Sequence, residues 1–150
     1  MPAYIRTTSD NIDFISLVCQ LDGELAEIDG GEHEFYARYN KIDKINHVVI
    51  AYNDDLPIAC GALKPFGEEA MEVKRMFTLS AFRGKGIASQ LLIELEEWAK
   101  EMNFSYCVLE TGIRQPDAIR LYEKNSYRSI PNYGQYIGIA NSRCFEKKLI

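Results

Sequence analysis

A chain of 150 residues, 47% hydrophobic and 26% charged, has an ordinary globular composition and can bury roughly two-thirds of its unfolded surface. Its formal net charge of −5 argues against a general nucleic-acid binder, so an anionic ligand has to be held by local groups. No apolar run approaches ~18 residues, and Met1-Pro2-Ala3-Tyr4-Ile5-Arg6 has no signal-peptide core, which argues against a membrane protein and leads us to expect a cytoplasmic one.

Tyr4-Ile5-Arg6 reads as a short extended segment. Ser9 or Asp10 can then cap a helix whose apolar positions Ile12, Ile15, Leu17, Val18 and Leu21 partly follow helical spacing. After the break at Gly30-Gly31, a second, weaker helix is expected over Glu32 to Ile42. His47 to Tyr52 and Ile58 to Leu63 flank Asn53-Asp54-Asp55, a hairpin signal, and a third strand is expected from about Met71 to Leu79. The clearest element follows Gly84 and Gly86. Ile87, Leu91, Leu92, Leu95, Trp98, Ala99 and Met102 recur every three or four residues opposite a face of Glu and Lys, and Asn103 ends the run. Tyr106 to Leu109 reads as a buried strand, so strand, glycine turn, helix and strand form a crossover joining two parallel neighbours. Pro116 opens a further helix through Tyr122. Tyr127 to Ile130 and Cys144 to Leu149 read as closing strands around an aromatic loop, Pro131 to Tyr136. With no repeat and no linker, the expectation is one α/β domain over residues 1–150 with a mixed sheet.

Cys19, Cys60, Cys107 and Cys144 are widely spaced inside apolar runs, with neither metal-ligand spacing nor the density of a disulfide scaffold. All four are expected to be reduced core residues. His33 and His47 have no metal-ligand company either, so no metal is expected.

The segment Arg83-Gly84-Lys85-Gly86-Ile87-Ala88 is a glycine-rich turn opening a helix, which offers converging backbone N–H groups at the positive end of the helix dipole. That is a site for a phosphate or diphosphate. A Walker loop fails here, because Gly84-Lys85 lacks the upstream glycine and the following hydroxyl. A dinucleotide fingerprint fails as well, with alanine or serine near the place of the third glycine and too few remaining βαβ units. An Arg/Gln-x-x-Gly-x-Gly/Ala loop is satisfied in full by Arg83, Gly86 and Ala88.

With that loop, and with Leu121-Tyr122-Glu123-Lys124-Asn125-Ser126-Tyr127 at the right separation and order, the chain resembles the GNAT superfamily of acyl-CoA N-acetyltransferases over essentially its whole length. Two departures are Ser126, where the family usually has glycine, and Gln115, where relatives often carry an asparagine that contacts the cofactor. The resemblance implies a GNAT-like α+β domain: a central mixed, largely antiparallel sheet flanked by about four helices. It implies acetyl-CoA as co-substrate, with the diphosphate on the amides of Gly84, Lys85, Gly86, Ile87 and Ala88 and with Arg83 and Lys85 as cations. The pantetheine arm would pair with the backbone of Met76, Phe77 and Thr78 like an added strand, next to Gln115. Tyr122 matches the family tyrosine that protonates the leaving sulfur, and Glu72, eleven residues before Arg83, the strand glutamate that serves as base in some members.

The acceptor implied is the amine of a small amino-acid-like or carboxylate-bearing metabolite, attacked directly in a ternary complex. Lys74 or Arg75 would bind its carboxylate, and Tyr133 or Tyr136 would wall the pocket. Strand alternation allows only one of Lys74 and Arg75 to reach the pocket unless a bulge intervenes. Acetylation of protein amines and a non-catalytic CoA-binding regulatory protein are the alternatives. The family leaves a homodimer open, and neither nucleic acid nor membrane is an expected partner.

Overall fold

A computed structural model describes residues 1–29 and 44–150. Seven strands and three α-helices are present among these residues: β1 (Ala3–Thr7), α1 (Ile12–Asp29), β2 (His47–Asn53), β3 (Leu56–Phe66), β4 (Ala70–Thr78), α2 (Ile87–Glu101), β5 (Tyr106–Gly112), α3 (Pro116–Lys124), β6 (Arg128–Ile130) and β7 (Ser142–Lys148). They build a single sheet in the order β1-β2-β3-β4-β5-β7-β6, antiparallel except where β4 meets β5. The mixed, largely antiparallel α+β architecture is the one expected. The helix expected over Glu32 to Ile42, with His33, lies outside the described residues.

Both faces of the sheet are covered. On β2, Val48 and Ile50 point into one core with Phe14, Leu17 and Val18 of α1, while Val49 and Ala51 point into the other with Leu91, Leu92 and Leu95 of α2. A strand buried on both sides has no polar face, which is why this segment is a continuous apolar run. The crossover expectation also holds, since β4 and β5 pair in parallel with α2 between them in the chain.

Three details of the sequence reading are corrected. The cap of α1 is Asn11, whose Oδ1 accepts the N–H groups of Asp13 at 2.8 Å and Phe14 at 3.3 Å. Ser9 is instead buried, its Oγ accepting the N–H of Ile45 at 2.8 Å. The buried stripe of α1 is Phe14, Leu17 and Val18 with Leu21 packed beside it, so Ile12 (79% exposed) and Ile15 (40%) face outward. Of the cysteines, Cys60, Cys107 and Cys144 are buried as expected, but Cys19 is exposed on α1.

Two helices end in the same way without glycine. After α3, Tyr127 N–H reaches the Tyr122 carbonyl at 3.0 Å and Ser126 N–H reaches Glu123 at 3.1 Å. Ser126 sits at φ +73°, and the Tyr127 ring contacts the Tyr122 ring with centroids 5.8 Å apart. This is a Schellman motif with serine in the left-handed position. The family's glycine is absent at Ser126, yet the turn is kept. Asn103, at φ +68°, ends α2 by the same bonds.

At the β1 edge, the Arg6 guanidinium holds Glu101 at 2.8 and 2.6 Å and lies 4.8 Å from the Trp98 ring centroid. His47 meets the same indole edge-on at 4.8 Å. Burial pulls the His47 imidazole below its ordinary pKa.

Candidate active site

The parallel pair β4–β5 is short: Ala70 faces Tyr106, Met71 faces Cys107, Glu72 faces Val108, and there the pairing stops. Beyond it β4 continues to Thr78 beside β3, and β5 continues to Gly112 beside β7. Two strands that start as neighbours therefore part, and the gap between them is an open cleft. Its walls include Val73 to Met76 of β4, Glu110 to Gly112 of β5, Gln115, Ala118 and Tyr122 around α3, Tyr136, and Leu21 and Leu25 of α1.

A bulge shapes the β4 wall. The register steps from Lys74 opposite Ala62 to Phe77 opposite Cys60, so Arg75 and Met76 together face Gly61. Arg75 sits at φ +61°. The extra residue resets the alternation: Lys74 and Arg75 both line the cleft, and Phe77 returns to the core under α1. The condition under which both cations reach the site is therefore met.

The polar side chains of the cleft are cross-linked. Glu72, 7% exposed, accepts the Tyr133 hydroxyl at 2.6 Å on Oε2, and its Oε1 lies 3.7 Å from Lys74 Nζ. Arg75 Nη1 donates to Asp22 of α1 at 2.8 Å. Burial pulls the Lys74 ammonium below its ordinary pKa, opposed by the charge of Glu72. Tyr133 is pushed well up by burial and then by the Glu72 charge, so it stays a donor. Tyr122 is buried, and burial with the charge of Glu110 raises its pKa, so its hydroxyl keeps its proton.

The glycine loop stands at the end of β4, after a single 3₁₀ turn at Ser80–Phe82. Gly84 (φ +76°) and Gly86 (φ +82°) are both left-handed, and no atom lies within 4 Å of where a Cβ would stand on either. Gly86 is the N-cap of α2 with no side-chain cap bond, so the first amides of the helix have no intrahelical acceptor. Ile87 sends its side chain into the core, which fixes the start of the helix. Arg83 is held within the protein: Nε donates to the Thr78 carbonyl at 2.8 Å and Nη2 to the Glu24 carboxylate at 2.9 and 3.1 Å. Lys85 Nζ lies over the Phe82 ring at 5.5 Å.

The structure thus brings Glu72, Lys74, Arg75, Met76, Gln115 and Tyr122 to one cleft, with Tyr133 bonded to its carboxylate. Phe77 and Thr78 stand behind that wall, one in the core and the other with its carbonyl taken by Arg83. Sequence reasoning missed Glu110 and the α1 contribution of Leu21, Leu25, Asp22 and Glu24. Glu110 carries a signal, a carboxylate inside an otherwise buried strand; the α1 residues carry none, because helix spacing alone does not say which strand end a helix overlies.

The site is thus a cleft where the sheet parts between parallel strands, with a glycine loop at a helix N-terminus beyond one wall and a buried, protonated tyrosine on the other. The model of the acetyltransferase (GNAT) family matches residues 15–127. The IAA acetyltransferase of Azospirillum brasilense is 29% identical, over 81% of this chain and 81% of that protein. The match to the uncharacterized N-acetyltransferase YjgM of Escherichia coli, 36% identical, spans 55% of this chain and half (50%) of YjgM. A Klebsiella pneumoniae structure assigned to the acyl-CoA N-acyltransferases superposes with a TM-score of 0.85 at 25% identity, covering 100% of this chain and 99% of that one. The chain belongs to the GNAT family of acetyltransferases and is an acetyl-CoA-dependent N-acetyltransferase.

Proposed function

We propose that this enzyme moves an acetyl group from acetyl-CoA to the amine of a small, carboxylate-bearing metabolite, by direct attack within a ternary complex. The observation that carries the proposal is the parted β4–β5 pair, a slot with the glycine loop beyond one wall and Tyr122 on the other. The diphosphate rests on the amides from Gly84 to Ala88, where the glycines leave open space for close approach. The pantetheine amides lie along the bulged backbone from Met76 to Thr78 in place of a missing strand, with Gln115 on the opposite side. Arg83 serves chiefly to hold the loop, since Thr78 and Glu24 engage it, and Lys85 supplies the loop's second cation.

The acceptor enters from the α1 face. Its ammonium titrates at about 10.4 and has to lose a proton before attack. Glu72 takes that proton, directly or through a bridging water, with its carboxylate oriented by Tyr133 and Lys74. Arg75 and Lys74 hold the acceptor carboxylate from neighbouring positions that only the bulge brings together. A backbone N–H of the bulge polarises the thioester carbonyl, and Tyr122 protonates the departing thiolate. The widely spaced free cysteines suit a reducing, cytoplasmic compartment. The whole chain serves as one acetyltransferase domain.

The test is thiol release from acetyl-CoA against a panel of simple amines, amino acids and peptide amines. Release that depends on a free carboxylate beside the amine is the expected result. Release with peptide amines alone would move the acceptor to proteins, and tight CoA binding without release from any acceptor would favour a regulatory protein.

A further inference from the structure

The β4 bulge is braced from β3 by two adjacent residues, Cys60 and Gly61. Cys60 is fully buried, and its Sγ lies 3.3 Å from the carbonyl oxygen of Arg75. That carbonyl belongs to the residue at φ +61°, one of the two that share Gly61 at the register step. Burial pushes the Cys60 thiol up to about 12, so it keeps its proton and can donate. Gly61 makes room from the other face of the sheet. A Cβ there would stand 2.6 Å from Met76 Sδ, 2.7 Å from Leu91 Cδ2 and 2.9 Å from Leu95 Cδ1. One residue supplies a donor for the displaced carbonyl, and the next supplies the space that Met76 fills.

We propose that Cys60 is a positioning residue for acyl transfer, its thiol bonding the Arg75 carbonyl and so fixing the bulge that aims Lys74, Arg75 and the Met76 backbone into the cleft. This role rests on the proposed function of that cleft, but the brace itself is independent of any ligand. A regular antiparallel ladder would return Arg75 to the opposite face and deny the cleft its guanidinium. Removing a donor from a buried carbonyl loosens the hold on the bulge and favours such alternatives.

The experiment compares Cys60→Ala with Cys60→Ser. Readouts are steady-state kinetics with acetyl-CoA and the acceptor found above, and hydrogen exchange resolved along β2 and β4. Alanine removes the donor, and kcat should fall by about tenfold. Exchange should rise at Met76 to Thr78 while the β2 amides stay protected. Serine keeps a hydroxyl donor, with its oxygen a few tenths of an ångström short, and should recover most of both effects. An alanine variant with unchanged kcat and unchanged exchange overturns the proposal. So does a serine variant as impaired as alanine, or exchange that rises uniformly over the sheet, the mark of a residue that only packs. If the wild-type protein releases no thiol from any acceptor, the proposed function fails, and the exchange comparison still decides the brace.

Discussion

Tyr122 shows how much a single side chain owes to the turn after it. Three bonds and contacts close the end of α3 around it: its carbonyl accepts Tyr127 N–H, its ring meets Tyr127, and Phe145 lies 6.3 Å beyond. Burial keeps the hydroxyl protonated, the state a general acid needs at neutral pH. For Tyr122→Phe we expect kcat to drop by about 10- to 100-fold with the Kd for acetyl-CoA within about twofold of wild type. Steady-state kinetics with calorimetry of donor binding checks this, and an unaltered kcat removes the acid role. The neighbouring Ser126 holds a left-handed φ of +73° that costs an L-residue roughly 1–2 kcal/mol. Ser126→Gly should therefore stabilise the protein by about 1 kcal/mol, seen as a higher urea midpoint at constant slope. A lower midpoint would mean that the hydroxyl makes a contribution the turn geometry does not reveal. At this scale the sequence was only partly legible. The Tyr122 segment was found through its motif, whereas the bulge at Arg75 was not, because one inserted residue in a nine-residue strand leaves no mark on its periodicity.

At the scale of elements, legibility followed the strength of the periodic signal. The helix α2, with apolar residues on one face and charges on the other, came out within a residue of its observed bounds. The helix α1 was found, but its buried face was turned. Ile12 and Ile15 look like core by composition, yet Phe14, Leu17 and Val18 share the stripe that meets β2 and β3. Asn11, not Ser9, caps it, since Ser9 is taken by a tertiary bond to Ile45 that no local rule anticipates. The sequence reads the glycine loop as an anion site with Arg83 on the phosphates; the tie of Arg83 to Glu24 depends on where α1 ends up, which no local signal gives. Gly86 tests the loop as a unit. No neighbour stands within 4 Å of a Cβ at Gly86, so any penalty there comes from φ +82°, not from crowding by the protein. Gly86→Val should weaken CoA binding by about tenfold or more, while Gly86→Asn, which tolerates the left-handed region, should lose much less. Equal affinities for both variants and wild type, measured by calorimetry with CoA, would mean the diphosphate lies elsewhere.

Taken as a whole, the molecule is a sheet whose two parts share three residue pairs between β4 and β5, with helices on both faces. A ligand in the gap touches both parts and binds the folded chain alone, so it should stabilise globally by mass action. At a hundredfold excess over its Kd, acetyl-CoA should add about 2.7 kcal/mol, a rise of roughly 5–10 °C in Tm. Differential scanning fluorimetry with an extrinsic dye checks this, with NAD and ATP at the same concentration as controls. Equal shifts with all three would point to non-specific anion binding. The hairpin and the parallel crossover followed from the sequence, because a glycine turn, a helix and an apolar strand admit few arrangements, whereas the place of β7 between β5 and β6 did not. The parting of the strands did not, since it depends on the twist of the whole sheet and on what packs above and below it.

Trp98 gives the molecule a ready-made optical probe. It is the only tryptophan in the chain, held between Arg6 and His47 at the β1 edge, and it is absent from the cleft walls. Its emission therefore tracks how β1, β2 and α2 fit together and should be nearly blind to donor titration, so indole fluorescence separates loss of structure from loss of binding in every variant described above. Protonated imidazole is a quencher, and burial holds His47 below its ordinary value of about 6.5, so that signal stays steady through neutral pH.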